Sequence, residues 1–278
     1  MEKKSMKGYL YLMPALIIIL LFTAYPLVRA FLMSFYEDYN MISGEYSRIG
    51  LGNYKALRNT SIYVVFVVPC SIALSLLIAV LLNSNIKFRG LFQTIFFLPY
   101  VTSVIAIGLV WSWIFNSNYG LLNYVLSWFG IAKVQWLNKP KYALPSLIIF
   151  SVWKSMAFDI LIFLAGLQTI PKDLYNAARV DSTPRWRVFW KITVPGIAPM
   201  ISYAFIMGFI SAFKVYNEVF SLWGGKAGPA NSAITVVYYI YDKFYNSHNY
   251  GLASAAAVIL FLIILVLTVV QRMMGKKK

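Results

Sequence analysis

The chain has 278 residues, of which 60% are hydrophobic and 12% charged; a soluble domain carries about 25% charged and about 45–50% apolar residues. The net charge of +16 does not make it a nucleic-acid binder, because its Lys and Arg residues sit at the ends of apolar runs and do not cluster with aromatics on a soluble element. A single cysteine, Cys70, and a single histidine, His248, exclude an internal disulfide and a His/Cys metal site.

Apolar residues collect into runs near the length that a helix needs to cross a hydrocarbon core, about 20 residues for about 30 Å. These runs predict an all-α membrane protein with one membrane domain over 1–278 and about six spans: 9–35, 61–82, 94–115, 143–170, 197–222 and 251–270. The first run continues past the length of a signal-peptide core without an A-x-A-like cleavage site, so it reads as a retained helix. Pro14, Pro26, Pro69, Pro99 and Pro145 fall inside spans or at their mouths, which a bundle tolerates where neighbours satisfy the freed backbone groups. Cys70 lies inside the second run, where a lone thiol behaves as a small hydrophobe.

Basic residues then orient the spans. Lys3, Lys4, Lys7, Lys87, Arg89, Lys172, Arg179, Arg185, Arg187, Lys191, Arg272, Lys276, Lys277 and Lys278 fall on one side. Arg48, Lys55, Arg58, Lys133, Lys139, Lys141, Lys226 and Lys243 fall on the other. The richer side is cytoplasmic and carries both termini. The opposite segments 36–60, 116–142 and 223–250 are longer and rich in Tyr, Trp, Asn and Gly. No internal repeat, low-complexity tract or domain-length linker divides the chain.

Ionisable groups at bilayer depth are costly. Lys154 and Asp159 lie in the fourth span, and Lys214 and Glu218 interrupt the fifth. Lys214 and Glu218 are spaced to share one helix face and neutralise each other. Lys154 and Asp159, five residues apart, point apart and each look elsewhere for a partner. Two readings stand: a polar translocation path, or structural pairs that lock the bundle. Tyr203, Phe213, Tyr216 and Asn217 in the fifth span could offer aromatic faces and hydrogen bonds to a solute, or serve as packing and interfacial anchors.

Between the fourth and fifth spans runs LQTIPKDLYNAARVDSTPRWRVFWKITVP, starting at Leu167. Pro171 permits a turn, Asp173 is a candidate N-cap, and a second short helix can start near Thr183 with Pro184 at its first position. The resulting protrusion carries alanines, aromatics and arginines. It suits protein docking or, as an amphipathic pair, the lipid headgroup zone. No G-x-x-x-x-G-K-[ST], H-E-x-x-H or G-x-S-x-G occurs anywhere in the chain, so it carries none of the sequence signatures of a nucleotide, zinc-protease or serine-hydrolase site.

The order of residues in this loop resembles the coupling loop (EAA loop) of permease subunits of binding-protein-dependent ABC importers. Tyr175, Asn176, Ala177, Ala178, Asp181, Ser182 and Arg185 occupy the first part of the pattern, and Phe189, Ile192 and Pro195 the second. Asn176 stands where the family has Glu, and Ser182 where it has Gly. Asn176 can offer only hydrogen bonds to an ATPase, and Ser182 fits the bend if it keeps a negative φ. Further similar segments are YLYLMPALIIILLFTAYPLVRAFLMSF (9–35), LGNYKAL (51–57), FRGLFQTIFFLPYVTSVIAIGLVWSWIF (88–115), GLLNYVLSWFGI (120–131), LAGLQTIP (164–171) and GGKAGPANSAITVVYYIYDKFY (224–245). In this order they are similar to the carbohydrate-uptake branch, such as maltose and glycerol-3-phosphate permeases.

The resemblance implies half of a translocation pathway in a bacterial cytoplasmic membrane. It implies a second, similar permease as heterodimer partner and an ATPase dimer docked on 175–195. The ATPase would bind ATP and Mg, with no cofactor or metal on this chain. An extracellular or periplasmic solute-binding protein would complete the assembly, and no nucleic acid would take part. Two rival readings are a membrane-embedded enzyme acting on lipid or lipid-linked sugar, and an ion-coupled secondary transporter. The first would need paired carboxylates near one membrane face, and the second favours inverted repeats.

Overall fold

The computed structural model describes residues 6–26, 28, 29, 54–84 and 87–275. All regular structure among them is helical, as expected where no water is present to satisfy an open strand edge. The chain forms two compact units, one of Met1–Asn53 with Tyr239–Leu267 and one of Tyr54–Tyr238 with Thr268–Lys278. The first unit includes α1 (Met6–Ile19), which runs on into a π-helical turn at Leu20–Ala24. From Tyr11 to Phe22 this helix is apolar and largely exposed. The expected first span extends to residue 35, and its part beyond Arg29 lies outside the described residues.

The second unit holds α2 (Tyr54–Asn83), α3 (Arg89–Val101), α4 (Val104–Ile114), α5 (Leu121–Ser127) and α6 (Pro140–Thr169). The loop supplies α7 (Lys172–Val180) and α8 (Arg185–Val188), the latter continuing through a π-helical turn at Phe189–Thr193. Then come α9 (Ala198–Phe213), α10 (Asn217–Leu222) and α11 (Val236–Tyr241). The last helix, α12, spans Tyr250–Gly275.

Among the described residues, three stretches are long and apolar enough to cross a bilayer unaided: Ala56–Asn83 in α2, Pro140–Thr169 in α6 and Tyr250–Gln271 in α12. Two expected spans are broken instead. The 94–115 stretch bends by 106° between α3 and α4, and the Arg185–Gly196 stretch meets α9 at 69°. Counting each bent pair as one span gives up to five candidate spans. The expected 197–222 span is also interrupted a second time, because α9 stops at Phe213 and α10 restarts at Asn217.

Local chemistry accounts for the corner between α3 and α4. Thr102 (φ −86°, ψ 146°) and Ser103 (φ −55°, ψ 128°) are both extended, three residues after Pro99. The Thr102 hydroxyl donates to the Leu98 carbonyl at 2.8 Å, so a carbonyl freed by the break keeps a donor. Pro69 and Pro145, by contrast, lie inside α2 and α6 without ending either helix.

The core is built on α2 and α6, which share the broadest interface, with α9 against α2, α3 against α6 and α10 against α4. Leu76, Ala79 and Leu82 of α2 meet Ile160, Phe163, Leu164 and Leu167 of α6, closed by Ile197 and Ala204. On the side opposite the α7–α8 loop, side chains hold the irregular backbone. Asn123 Nδ2 donates to the Ser117 and Val134 carbonyls, while its Oδ1 accepts from Val134 N–H and Trp136 Nε1. Asn59 Nδ2 donates to the carbonyls of Ser232 and Ile234, and Thr60 Oγ1 accepts the Val236 N–H.

The α4–α10 contact depends on a glycine, since a Cβ on Gly108 would overlap the Ser221 side chain. Overpacking of this kind costs about 1–3 kcal/mol. Gly108→Ala is therefore expected to lower the thermal unfolding midpoint of the purified protein by several degrees, and adding Ser221→Gly to restore most of it. An unchanged midpoint in Gly108→Ala would show that the two helices do not pack this closely.

Candidate functional site

Two places gather polar and basic side chains: a cleft in the helix bundle and the α7–α8 loop. The cleft has a volume of about 360 Å³, at the lower end of small-molecule sites. Helical periodicity decides which side chains line it. Tyr63, Val67 and Ser71 form one stripe of α2, and Lys154, Ser155, Phe158 and Asp159 one stripe of α6; Met207, Gly208, Ser211 and Ala212 do the same on α9. Tyr100 and Val104 come from either side of the α3–α4 corner, and Glu218 from the start of α10. Tyr100 and Met207, 53% and 39% exposed, place its mouth at the protein surface.

Lys154 Nζ bonds Glu218 Oε1 at 2.6 Å, with side chains 23% and 16% exposed. This corrects the pairing expected from spacing. Lys214 and Glu218 do not share a helix face, because the backbone leaves the helix at Lys214 and resumes at Asn217. Glu218 is paired with α6 and Lys214 is exposed. Asp159 is 6% exposed and makes no ion pair among the described residues; Ser71, which also lines the cleft, donates its hydroxyl to the Val68 carbonyl at 3.0 Å. Tyr100 stacks on Phe158 with ring centroids 5.2 Å apart and planes 19° apart.

Of the residues singled out in the sequence for a path, Lys154, Asp159 and Glu218 line this cleft, whereas Tyr203, Phe213, Lys214, Tyr216 and Asn217 do not. Tyr203 is 47% exposed, Phe213 is buried beneath Phe209, and Tyr216 packs with Phe220 and Tyr238. Tyr63, Ser71, Tyr100, Ser155 and Ser211 line the cleft unannounced. Their only sequence signal is polarity within apolar runs, which is common in packed spans.

In the loop, α7 begins after Pro171, so Asp173 sits in its first turn and is not the N-cap; Pro184 precedes α8 as its N-cap. The turn between them closes α7 as a Schellman motif, with Ser182 N–H donating to the Arg179 carbonyl and Thr183 N–H to that of Ala178. The residue at its bend is Ser182, and its φ is +49°. The negative φ expected of Ser182 is therefore overturned, because the two capping bonds require a left-handed residue there.

The loop has two faces. Tyr175, Phe189 and Ile192 pack against the bundle core, and the Tyr175 hydroxyl lies 3.2 Å from Thr193 Oγ1. Ala178 is buried as well. Asn176, Ala177, Asp181, Ser182, Arg185 and Pro195 are exposed, together with Val180 (85%), Trp186 (64%) and Trp190 (61%). Arg187 lies over the Trp186 ring at 5.8 Å. Among the described residues no cluster of His, Cys, Asp and Glu could hold a metal ion.

Comparison with known proteins agrees with this geometry. Residues 71–278 match the family described as the binding-protein-dependent transport system inner membrane component. The permease protein of the arabinooligosaccharides transport system of Halalkalibacterium halodurans is 34% identical, over 95% of this chain and 85% of its own length. That of the trehalose/maltose system of Thermococcus litoralis is 33% identical, over 99% and 95%. Among solved structures, a bacterial ABC transporter that imports the acidic polysaccharide alginate contains a chain of the same fold, with a TM-score of 0.78 and 24% identity over 99% of this chain and 96% of that one. The chain belongs to the family of binding-protein-dependent transport system inner membrane components. It is a multi-pass transport subunit of an ABC importer and not an enzyme, with ATP hydrolysis left to a separate subunit.

Two measurements test the local geometry. Removing one member of a partly buried ion pair costs about 1–3 kcal/mol, so Glu218→Gln and Lys154→Met should each lower the unfolding midpoint, with the swap Lys154→Glu/Glu218→Lys recovering part of the loss. Failure of the swap to recover anything would argue against direct pairing. A non-glycine residue in the left-handed region costs about 1 kcal/mol, so Ser182→Gly should slow hydrogen exchange at the Thr183 amide about fivefold; faster exchange would contradict the capped turn.

Proposed function

We propose that this chain forms half of the translocation pathway of an ATP-driven importer for a carbohydrate or related solute, in a bacterial cytoplasmic membrane with both termini inside. A second, similar permease covers the face that carries the cleft. An external or periplasmic solute-binding protein delivers the solute. An ATPase dimer, holding the ATP and Mg, docks below on the α7–α8 loop. This chain itself binds no cofactor.

The observation that carries the docking is the two-faced loop. Tyr175, Phe189 and Ile192 root it in the bundle, so a push on α7 is transmitted to α6 and α9 instead of being absorbed by a flexible hinge. Its outer face presents Val180, Trp186 and Trp190 among arginines, the mixture of anchors and charge found at interface hot spots. Closure of the two ATPases would draw such loops together and rearrange the bundle as rigid bodies. Asn176 replaces a charged contact with a neutral one, and Ser182 keeps the bend that glycine would make. The carbohydrate class is supported by relatives named for arabinooligosaccharides, trehalose/maltose and, at 32% identity in Rhizobium radiobacter, lactose. The pathway is assigned to the cleft because charged groups at bilayer depth face a bundle interior or an aqueous cavity, never lipid.

The docking assignment predicts that Val180→Asp combined with Arg185→Glu and Arg187→Glu lowers copurification of the ATPase by more than tenfold. All three side chains are exposed, so the unfolding midpoint of the permease should stay unchanged. Undiminished copurification would sink the assignment.

A further inference from the structure

The proposed pathway leaves one charge in the cleft unexplained. Three ionisable acids and bases line it, Lys154, Asp159 and Glu218. Lys154 and Glu218 neutralise each other at 2.6 Å. Asp159 makes no ion pair among the described residues, and beyond Lys154 no Lys or Arg lines the cleft. A lone carboxylate held at bilayer depth is costly, and its field is weakly screened because the helix walls exclude water. Beside it on α6, Phe158 stacks on Tyr100 with ring planes 19° apart, and both rings line the cleft.

We infer that Asp159 is a specificity-determining residue that acts as a charge filter: the cleft takes neutral or cationic sugars and rejects acidic ones. This rests on the carbohydrate reading above and deepens it. A sugar hydroxyl or ammonium donates to the carboxylate while the C–H face of the ring lies on the aromatic stack. A uronate places a second negative charge beside the first, with Lys154 already engaged by Glu218 and unable to compensate. A neutral or cationic solute thus supplies a donor to the carboxylate without bringing a like charge beside it.

The test uses the assembled importer without its binding protein, in lipid nanodiscs, so that selection upstream does not enter. Equilibrium binding is measured for maltotriose, lactose and arabinobiose, and for maltotriose and lactose carrying a terminal C6 carboxylate or C6 amine. The wild type is expected to bind a neutral sugar, to bind its amine form at least as tightly, and to bind its carboxylate form at least about tenfold more weakly. Asp159→Asn should shrink that gap to within about threefold, and Asp159→Glu should keep it. Equal binding of neutral and carboxylate forms by the wild type overturns the filter. A gap that survives Asp159→Asn also overturns it and assigns the exclusion to the partner permease. Should Asp159→Asn fail to assemble, amine forms that bind the wild type more weakly than the neutral sugars overturn it equally. If no neutral sugar binds at all, the carbohydrate reading falls, and this inference with it.

Discussion

The ion pair between Lys154 and Glu218 organises the middle of the bundle. Charges inside an apolar bundle are costly unless they are paired, so each group is met from within the protein. Meeting that demand ties α6 to α10, and α10 is in turn held to α4 by the close approach of Ser221 to Gly108. Three segments far apart in the chain are fixed around one charge contact. The cleft opens beside it because the same stripe of α6 that carries Lys154 also carries Ser155, Phe158 and Asp159.

The breaks in the helices follow from the same solvent. Irregular backbone is tolerated at membrane depth only where protein or a polar cavity satisfies it. The Thr102 hydroxyl covers the Leu98 carbonyl at the α3–α4 corner. The Thr235 hydroxyl donates to the Val215 carbonyl in the gap between α9 and α10. Tyr238 and Trp223 likewise donate to the carbonyls of Gly225 and Leu137. The α3–α4 corner and the gap after Phe213 therefore each have a named donor, and Glu218 meets α6 from the helix that restarts beyond that gap.

The α7–α8 loop shows how a sequence pattern can be right in place and wrong in detail. Its position, its small and aromatic composition and its family were legible from residue order between Leu167 and Pro195. The conformation of Ser182 was not, because a serine carries no intrinsic preference for a left-handed bend; the capping bonds to Arg179 and Ala178 impose it. Nor could spacing divide the loop into Tyr175, Phe189 and Ile192, which root it, and Val180, Trp186 and Trp190, which project.

What the sequence determined by itself was the solvent, the helical class, the family and the site of the loop. These depend on local quantities, run length, net polarity and residue order, that a linear chain displays directly. Tertiary structure alone decided the partner of Glu218, the 106° and 69° bends and the company Asp159 keeps. The physical reason is that a buried charge takes its partner by proximity in space. The i, i+4 spacing of Lys214 and Glu218 predicts contact only while the helix continues, and here the helix stops at Phe213.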